Sequence, residues 1–275
     1  MATRTSKSKS TGKNTKRVYY FGATRTEGDS KQKQLLGGKG ANLAEMTSIG
    51  LPVPPGFTIT TATCAEYYEN NRKIPAPLMA EVRKAVGMLE KELGKKFGDT
   101  TNPLLVSVRS GAAVSMPGMM DTVLNLGLND DSVAGLANFS GNERCAYDVY
   151  RRLINMYGDV VMGVDHHEFE AEFDKIKRKQ GAKLDTQVDV KGLIDLCNAY
   201  KKAVKRNTGR EFPQDPLEQL ELAIEAVFRS WNTPRAIRYR QINEIVGLKG
   251  TAVNVQAMAF GNMGEDSGTG VAFTR

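Results

Sequence analysis

Leu104-Leu-Val-Ser-Val-Arg-Ser-Gly-Ala-Ala-Val-Ser-Met-Pro-Gly-Met-Met-Asp-Thr122 is the stretch that most clearly predicts the fold of this chain. Its first five residues are largely apolar and β-branched, which is typical of a strand buried on both faces. Arg109 follows, and the next four residues are small enough for backbone N–H groups to approach a phosphate. Arginine suits such a place because its planar, charged fork matches phosphate oxygens. The spacing of these residues is equally consistent with an ordinary turn after the strand, in which Arg109 is a solvated surface charge.

A second stretch, Gly37-Gly-Lys-Gly40, places a lysine at the start of a predicted helix. Leu43 and Met46 give that helix an apolar stripe, and the Gly- and Pro-rich run from Gly50 to Gly56 ends it. Helix N-termini favour anions, so Lys39 is a candidate phosphate ligand. The stretch lacks the glycine spacing and the Ser or Thr of a Walker A loop, and as a bare pattern it is more often a plain turn.

Several stretches together resemble the N-terminal region of the pyruvate, phosphate dikinase family over residues 18–275. The run Met116-Pro-Gly-Met-Met-Asp-Thr-Val-Leu-Asn-Leu-Gly-Leu128 is the most specific of them. Phosphoenolpyruvate synthases and glucan dikinases share the Gly-Gly-Lys opening and the Val-Arg-Ser step but differ in the loop that follows. The other matching stretches are residues 37–46, 50–58, 104–115, 226–231, 250–256 and 267–275.

The resemblance implies an ATP-grasp fold, in which ATP lies between two α+β lobes. It implies that Lys39 and Arg109 contact the nucleotide phosphates and that the loop over residues 110–120 closes over them. The phosphate-binding residues expected on this basis are Lys39, Arg109, Gly111, Ser115 and Gly118. The backbone near Gln256 and Met258 is expected to form the edge that recognises adenine, although any strand offers such groups.

The fold class expected is α+β, an incomplete ATP-grasp-like nucleotide-binding domain with a helical insertion. Four regions are expected: a disordered basic tail over 1–17, a mixed α/β lobe with the Lys/Arg phosphate site over 18–128, a helical insertion over 129–214, and a helix pair with the start of a second lobe over 215–275. Within them, strands are predicted over 17–22 and 56–60 and an amphipathic helix over 76–93. A strand over 251–260 is predicted to pair with another over 268–274 across a Gly-rich turn.

The net charge of +7 belongs to the tail and not to a binding face. Residues 1–26 hold seven of the 38 basic residues and no acid, which leaves 31 basic and 31 acidic residues in the remainder. We therefore expect no nucleic-acid partner. We also expect no membrane partner, because no window approaches 18 uncharged apolar residues. The expected location is cytoplasmic, with organellar import by the basic tail as the alternative.

Metal and phosphocarrier sites are not expected within these residues. The three cysteines have no metal-ligand spacing. His166 and His167 fit the start of a solvated helix after Asp165, and their context differs from that of the family's phosphocarrier histidine, so no catalytic residue is assigned. The resemblance implies Mg²⁺ bound with ATP, through ligands beyond residue 275, and a homodimeric enzyme.

The leading functional hypothesis is the ATP-binding portion of a pyruvate, phosphate dikinase. That family converts ATP, phosphate and pyruvate to AMP, diphosphate and phosphoenolpyruvate through a phosphohistidine. The phosphohistidine and pyruvate-binding domains are expected to lie outside this chain, which should therefore make no phosphoenolpyruvate alone. The alternatives are a stand-alone ATP- or AMP-binding module without catalysis and a protein that binds nucleic acid or an anionic surface through the basic tail.

Overall fold

A computed structural model describes residues 16–264 and 266–272 of the chain. The strands in this part are β1 (Val18–Phe21), β2 (Gly56–Ile59), β3 (Lys96–Phe97), β4 (Pro103–Leu104), β5 (Val106–Gly111), β6 (Thr122–Leu126) and β7 (Ala252–Ala257). Five of them form an antiparallel sheet in the order β1-β2-β7-β5-β6, and β3 and β4 form a short parallel pair apart from it.

The helices fall into two groups along the chain. Three accompany the first strands: α1 (Lys33–Ser48), α2 (Thr61–Glu69) and α3 (Leu78–Leu93). The others fill the stretch between β6 and β7: α4 (Ser132–Ser140), α5 (Glu143–Val160), α6 (His166–Gln180), α7 (Val190–Thr208), α8 (Pro216–Ser230) and α9 (Pro234–Ile242). The helix predicted over 76–93 is confirmed as α3, with an apolar face that buries Val82, Val86 and Leu89.

The two faces of the central sheet differ in chemistry. Because side chains alternate along a strand, one face of β5 and β7 carries Ser107 and Arg109 opposite Gln256 and Asn254. The other face carries valines, Val108 opposite Val255 among them. We call the first the polar face and the second the apolar face. Helix α8 packs against β5, β6 and β7, and its buried residues join the valines in one core.

Helix α1 covers part of the polar face through glycines. Gly37 has φ of +69°, and a Cβ built on it would lie 1.7 Å from the carbonyl oxygen of Gly111 in β5. A Cβ on Gly40 would lie 2.7 Å from the side chain of Thr58 and 2.9 Å from that of Asn254. No larger residue fits either place, so the glycines around Lys39 let α1 approach the sheet closely.

The region over 129–214 is helical, and an aromatic core holds it together. Tyr157 and Phe212 meet edge to face with ring centroids 5.4 Å apart, and Phe169 and Tyr200 do so at 5.0 Å. Such pairs stabilise by about 0.5–1.5 kcal/mol beyond the area they bury. Helix α5 joins this group to the sheet through its packing against β6. Whether these helices form a separate unit stays a prediction.

The last described strand, β7, has neighbours that the sequence does not predict. The sequence analysis places this strand at the start of a second lobe, whereas β7 lies in the middle of the sheet, with β2 on one side and β5 on the other. The partner strand predicted over 268–274 is wrong for residues 268–272, which form no strand, and residues 273–275 lie outside the described part. Alternation of apolar residues indicates a strand but not its neighbours, and here both neighbours are distant in sequence.

The basic tail predicted over 1–17 lies mostly outside the described residues. Of the two tail residues that are described, Arg17 pairs with Glu66 at 2.8 Å, so this end of the tail is held against α2. Every helix in residues 16–264 and 266–272 is too short or too polar to cross a lipid bilayer.

Candidate functional site

A cavity of about 590 Å³ lies between α1 and the loop that connects β5 to β6. We call residues 112–121 the covering loop. The close approach of Gly37 to Gly111 sets one wall, and Gly38 N–H donates to the Ala112 carbonyl at 2.9 Å. The lining residues are Lys33, Gly38, Lys39, Asn42, Ser110, Gly111, Ala112, Ala113, Val114, Ser115, Met116, Pro117, Gly118, Met120 and Thr122.

Lys39 brings a cation to this cavity. Its Nζ donates to the carbonyl oxygen of Ser110 at 3.1 Å, and its side chain remains accessible to solvent. Partial burial, and then the nearby charge of Arg109, lower the pKa of Lys39 below its usual value. A bound anion would stabilise the charged form of Lys39, because its negative charge offsets both the burial of the ammonium group and the repulsion by Arg109.

Arg109 brings a second cation next to the cavity but not into its lining. Its Nη2 donates to Oε1 of Gln256, and its buried Nε has no hydrogen-bond partner among the described residues. Burial lowers the pKa of Arg109. Among the described residues neither Lys39 nor Arg109 forms a salt bridge, and the oxygens that they bond to, of Ser110 and Gln256, are neutral.

The covering loop is anchored at both ends and in its middle. Met116 is 5% exposed and packs into the core, and Met119 N–H donates back to the Met116 carbonyl at 3.2 Å. Near the far end, Arg235 of α9 donates through Nε to the Met119 carbonyl at 3.2 Å and pairs with Asp121. Gly118 has φ of +72°, which favours glycine there.

The structure brings together four of the five residues predicted to bind phosphate. Lys39, Gly111, Ser115 and Gly118 line the cavity, whereas Arg109 lies beside it. Whether these residues bind phosphate stays a prediction. Sequence reasoning missed Arg235, which lies 114 residues from its partner Asp121 and belongs to no recognisable local motif.

Gln256 and Met258 are not among the described residues that line the cavity. Gln256 sits between two paired strands, opposite Gly56 of β2 and Ser107 of β5, so the sheet engages its backbone. The N–H of Met258 donates to the carbonyl oxygen of Leu105 at 2.9 Å. That the backbone of these residues recognises adenine stays a prediction. The side chain of Gln256, by contrast, makes hydrogen bonds to Arg109 and to the Pro54 carbonyl.

The cavity does not fit a protein-built magnesium site. Magnesium in proteins is held by carboxylates together with water and substrate phosphates, and none of the described lining residues carries a carboxylate. The described residues also contain no group of three His, Cys, Asp or Glu side chains arranged to hold a metal ion. His166 and His167 begin α6 at the surface, where His167 Nδ1 lies 2.9 Å from Glu170 Oε2.

The arrangement suits the binding of a polyanion. Two cations that have no acidic partner in the described part of the chain lie beside a loop of small residues whose backbone can approach a ligand closely. Charge-assisted hydrogen bonds of lysine and arginine to phosphate are about twice as strong as neutral ones. Stabilising charge on phosphate oxygens is also the main task in phosphoryl transfer.

Comparisons with known proteins point the same way. Residues 33–76 and 73–275 match the family described as the pyruvate phosphate dikinase AMP/ATP-binding domain. A chloroplastic pyruvate, phosphate dikinase from Mesembryanthemum crystallinum is 58% identical over 260 residues, which is 94% of this chain and 27% of that protein. The pyruvate, phosphate dikinase of Giardia intestinalis is 55% identical over 264 residues, 95% of this chain and 30% of that protein. The chain thus spans less than a third of the length of these relatives.

Proposed function

Because the chain belongs to the pyruvate phosphate dikinase AMP/ATP-binding domain family, we propose that it is the ATP-binding portion of such an enzyme. In this proposal the phosphates of ATP bind between Lys39, Arg109 and the covering loop, with Gly111 of β5 and with Ser115 and Gly118 of that loop as the closest other residues. The observation that carries the proposal is the pair of cations, Lys39 at the cavity and Arg109 beside it, which bond to neutral oxygens and form no salt bridge among the described residues.

The wider reaction is part of the same proposal. A complete enzyme would convert ATP, phosphate and pyruvate to AMP, diphosphate and phosphoenolpyruvate, with a phosphohistidine carrying the group between sites. Lys39 and Arg109 would hold the phosphates and offset their charge during transfer. Magnesium would enter bound to the nucleotide phosphates, because the described residues of the cavity supply no carboxylate. ATP-grasp architecture and homodimer formation are expected of the complete protein.

The cellular location is also a proposal. A cytoplasmic protein is expected from the composition of residues 1–17, which resembles a transit peptide only in part. The names of the relatives from Mesembryanthemum and Arabidopsis describe them as chloroplastic, and the name of the Giardia relative does not. Fractionation of cells that express the tagged chain distinguishes the two locations.

The proposed ATP site is tested by titrating the chain with ATP and with inorganic tripolyphosphate, which has no adenosine. Lys39→Met should weaken both ligands by about 1.5–3 kcal/mol, or roughly ten- to a hundred-fold, because one charge-assisted phosphate contact is lost. Lys31→Met is the control, since Lys31 is exposed and precedes α1. Equal affinities for the Lys39→Met and Lys31→Met variants, or a native chain that binds neither ligand, would contradict the proposal.

A further inference from the structure

The side chain of Gln256 connects Arg109 to the backbone of a neighbouring segment. Gln256 Oε1 accepts a hydrogen bond from Arg109 Nη2, and Gln256 Nε2 donates to the carbonyl oxygen of Pro54 at 2.9 Å. The Pro54 carbonyl can only accept, so it fixes which end of the Gln256 amide faces Arg109. The amide therefore presents its oxygen to the guanidinium.

The sheet register places these two side chains together. Gln256 lies directly opposite Ser107, and Arg109 lies two residues further along β5, so Arg109 and Gln256 are diagonal neighbours on the polar face. Gln256 is 7% exposed and β7 is a central strand. Its position is therefore set by strands on both sides, and it can hold Arg109 more rigidly than a surface residue could.

The neutrality of glutamine matters at this place. A carboxylate beside Arg109 would hold it equally well but would cancel the charge that a phosphate requires. The amide oxygen orients the guanidinium and leaves its full positive charge uncompensated, and the buried Nε of Arg109 has no partner in residues 16–264 and 266–272. A positioned but unneutralised arginine is what binding of an anion demands.

We infer that Gln256 is a positioning residue that orients Arg109 for polyphosphate binding through its side-chain amide. The inference rests on the proposed function and deepens it. It gives Gln256 a role at the phosphates, whereas the sequence analysis placed this residue at the adenine through its backbone. The two roles make opposite predictions for a ligand that contains no adenine.

The test compares tripolyphosphate with ATP across Gln256 variants of the 275-residue chain. Gln256→Met should weaken both ligands by the same factor, about three- to ten-fold, as expected for one lost hydrogen bond. Gln256→Glu should weaken both by a larger factor, because it adds a competing negative charge beside Arg109. Gln256→Met placed in an Arg109→Met background should cause no further loss, since the residue that it positions is gone.

Thr58→Val is the matched control, because Thr58 lies on the same polar face and bonds to Asn254 rather than to Arg109. Thermal unfolding of each variant corrects the affinities for the folded fraction. Loss of ATP affinity with unchanged tripolyphosphate affinity would overturn the inference, as would a gain in either affinity or a loss of stability alone. If Lys39→Met weakens both ligands while the Gln256 variants do not, the inference fails and the proposed function stands. A native chain that binds neither ligand overturns both.

Discussion

The two faces of the central sheet carry different tasks although they belong to the same strands. The apolar face brings Val108 and Val255 into a core shared with α8, and these residues are 0% exposed. The polar face carries Arg109, Asn254 and Gln256, and it meets α1 through glycines. The first face follows the ordinary rule that apolar burial stabilises a fold.

The polar face departs from that rule in ways that cost stability. Asn254 is 0% exposed, and its Nδ2, like Nε of Arg109, has no hydrogen-bond partner among the described residues. A buried unsatisfied donor costs about 1–3 kcal/mol. Departures of this kind from the rules of stable packing are found mainly at functional sites. The difference between the faces teaches that stability and binding should respond to separate sets of substitutions.

The largest effect on both properties is expected for Gly37→Ala, at the contact between α1 and the polar face. The added Cβ would lie 1.7 Å from a backbone oxygen and would occupy a residue with φ of +69°, so α1 must move. We expect a loss of about 3–5 kcal/mol in the free energy of unfolding. ATP affinity should fall as well, because Lys39 moves with the helix. Chemical denaturation and calorimetric titration measure the two changes.

Gly50→Ala separates strain from steric clash in that experiment. Gly50 also has positive φ, +83°, but a Cβ there would meet nothing within 4 Å. Its substitution should cost only about 1 kcal/mol. Equal stability of the two alanine variants would show that the close approach of α1 to β5 is not required.

A smaller and more selective effect is expected for Leu220→Ala on the apolar side. Leu220 of α8 is 0% exposed, and its truncation should cost about 2–5 kcal/mol of unfolding free energy. ATP affinity per folded molecule should stay within about two-fold, because distant sites are usually independent. Leu222→Ala, on the partly buried side of the same helix, should cost less. A ten-fold loss of affinity in folded Leu220→Ala would mean that the two faces are coupled.

The sequence predicted the local elements better than their arrangement. The strand that leads to Arg109, the glycines at Lys39 and the helix α3 each have a signal within about 20 residues, either apolar periodicity or glycine spacing. The predicted end of that strand is wrong, because β5 continues through Arg109 to Gly111, paired with β7. β7 also has such a signal, but the pairing of β7 with β2 does not. Asn254 of β7 lies opposite Thr58 of β2, which is 196 residues away in the sequence. The same reason hid the bond from Arg109 to Gln256, which spans 147 residues. Contacts of this range are formed by the fold and leave no mark in spacing.

The central claim is that polyphosphate binds where α1, the polar face and the covering loop meet. The most direct measurement is a backbone-amide chemical-shift map of the chain during titration with tripolyphosphate and then with ATP. With either ligand, we predict that the largest shifts fall in residues 37–42 and 110–120. Large shifts confined to another cavity, such as the one lined by His166, Lys177 and Tyr200, or saturation without shifts near Lys39, would contradict the account.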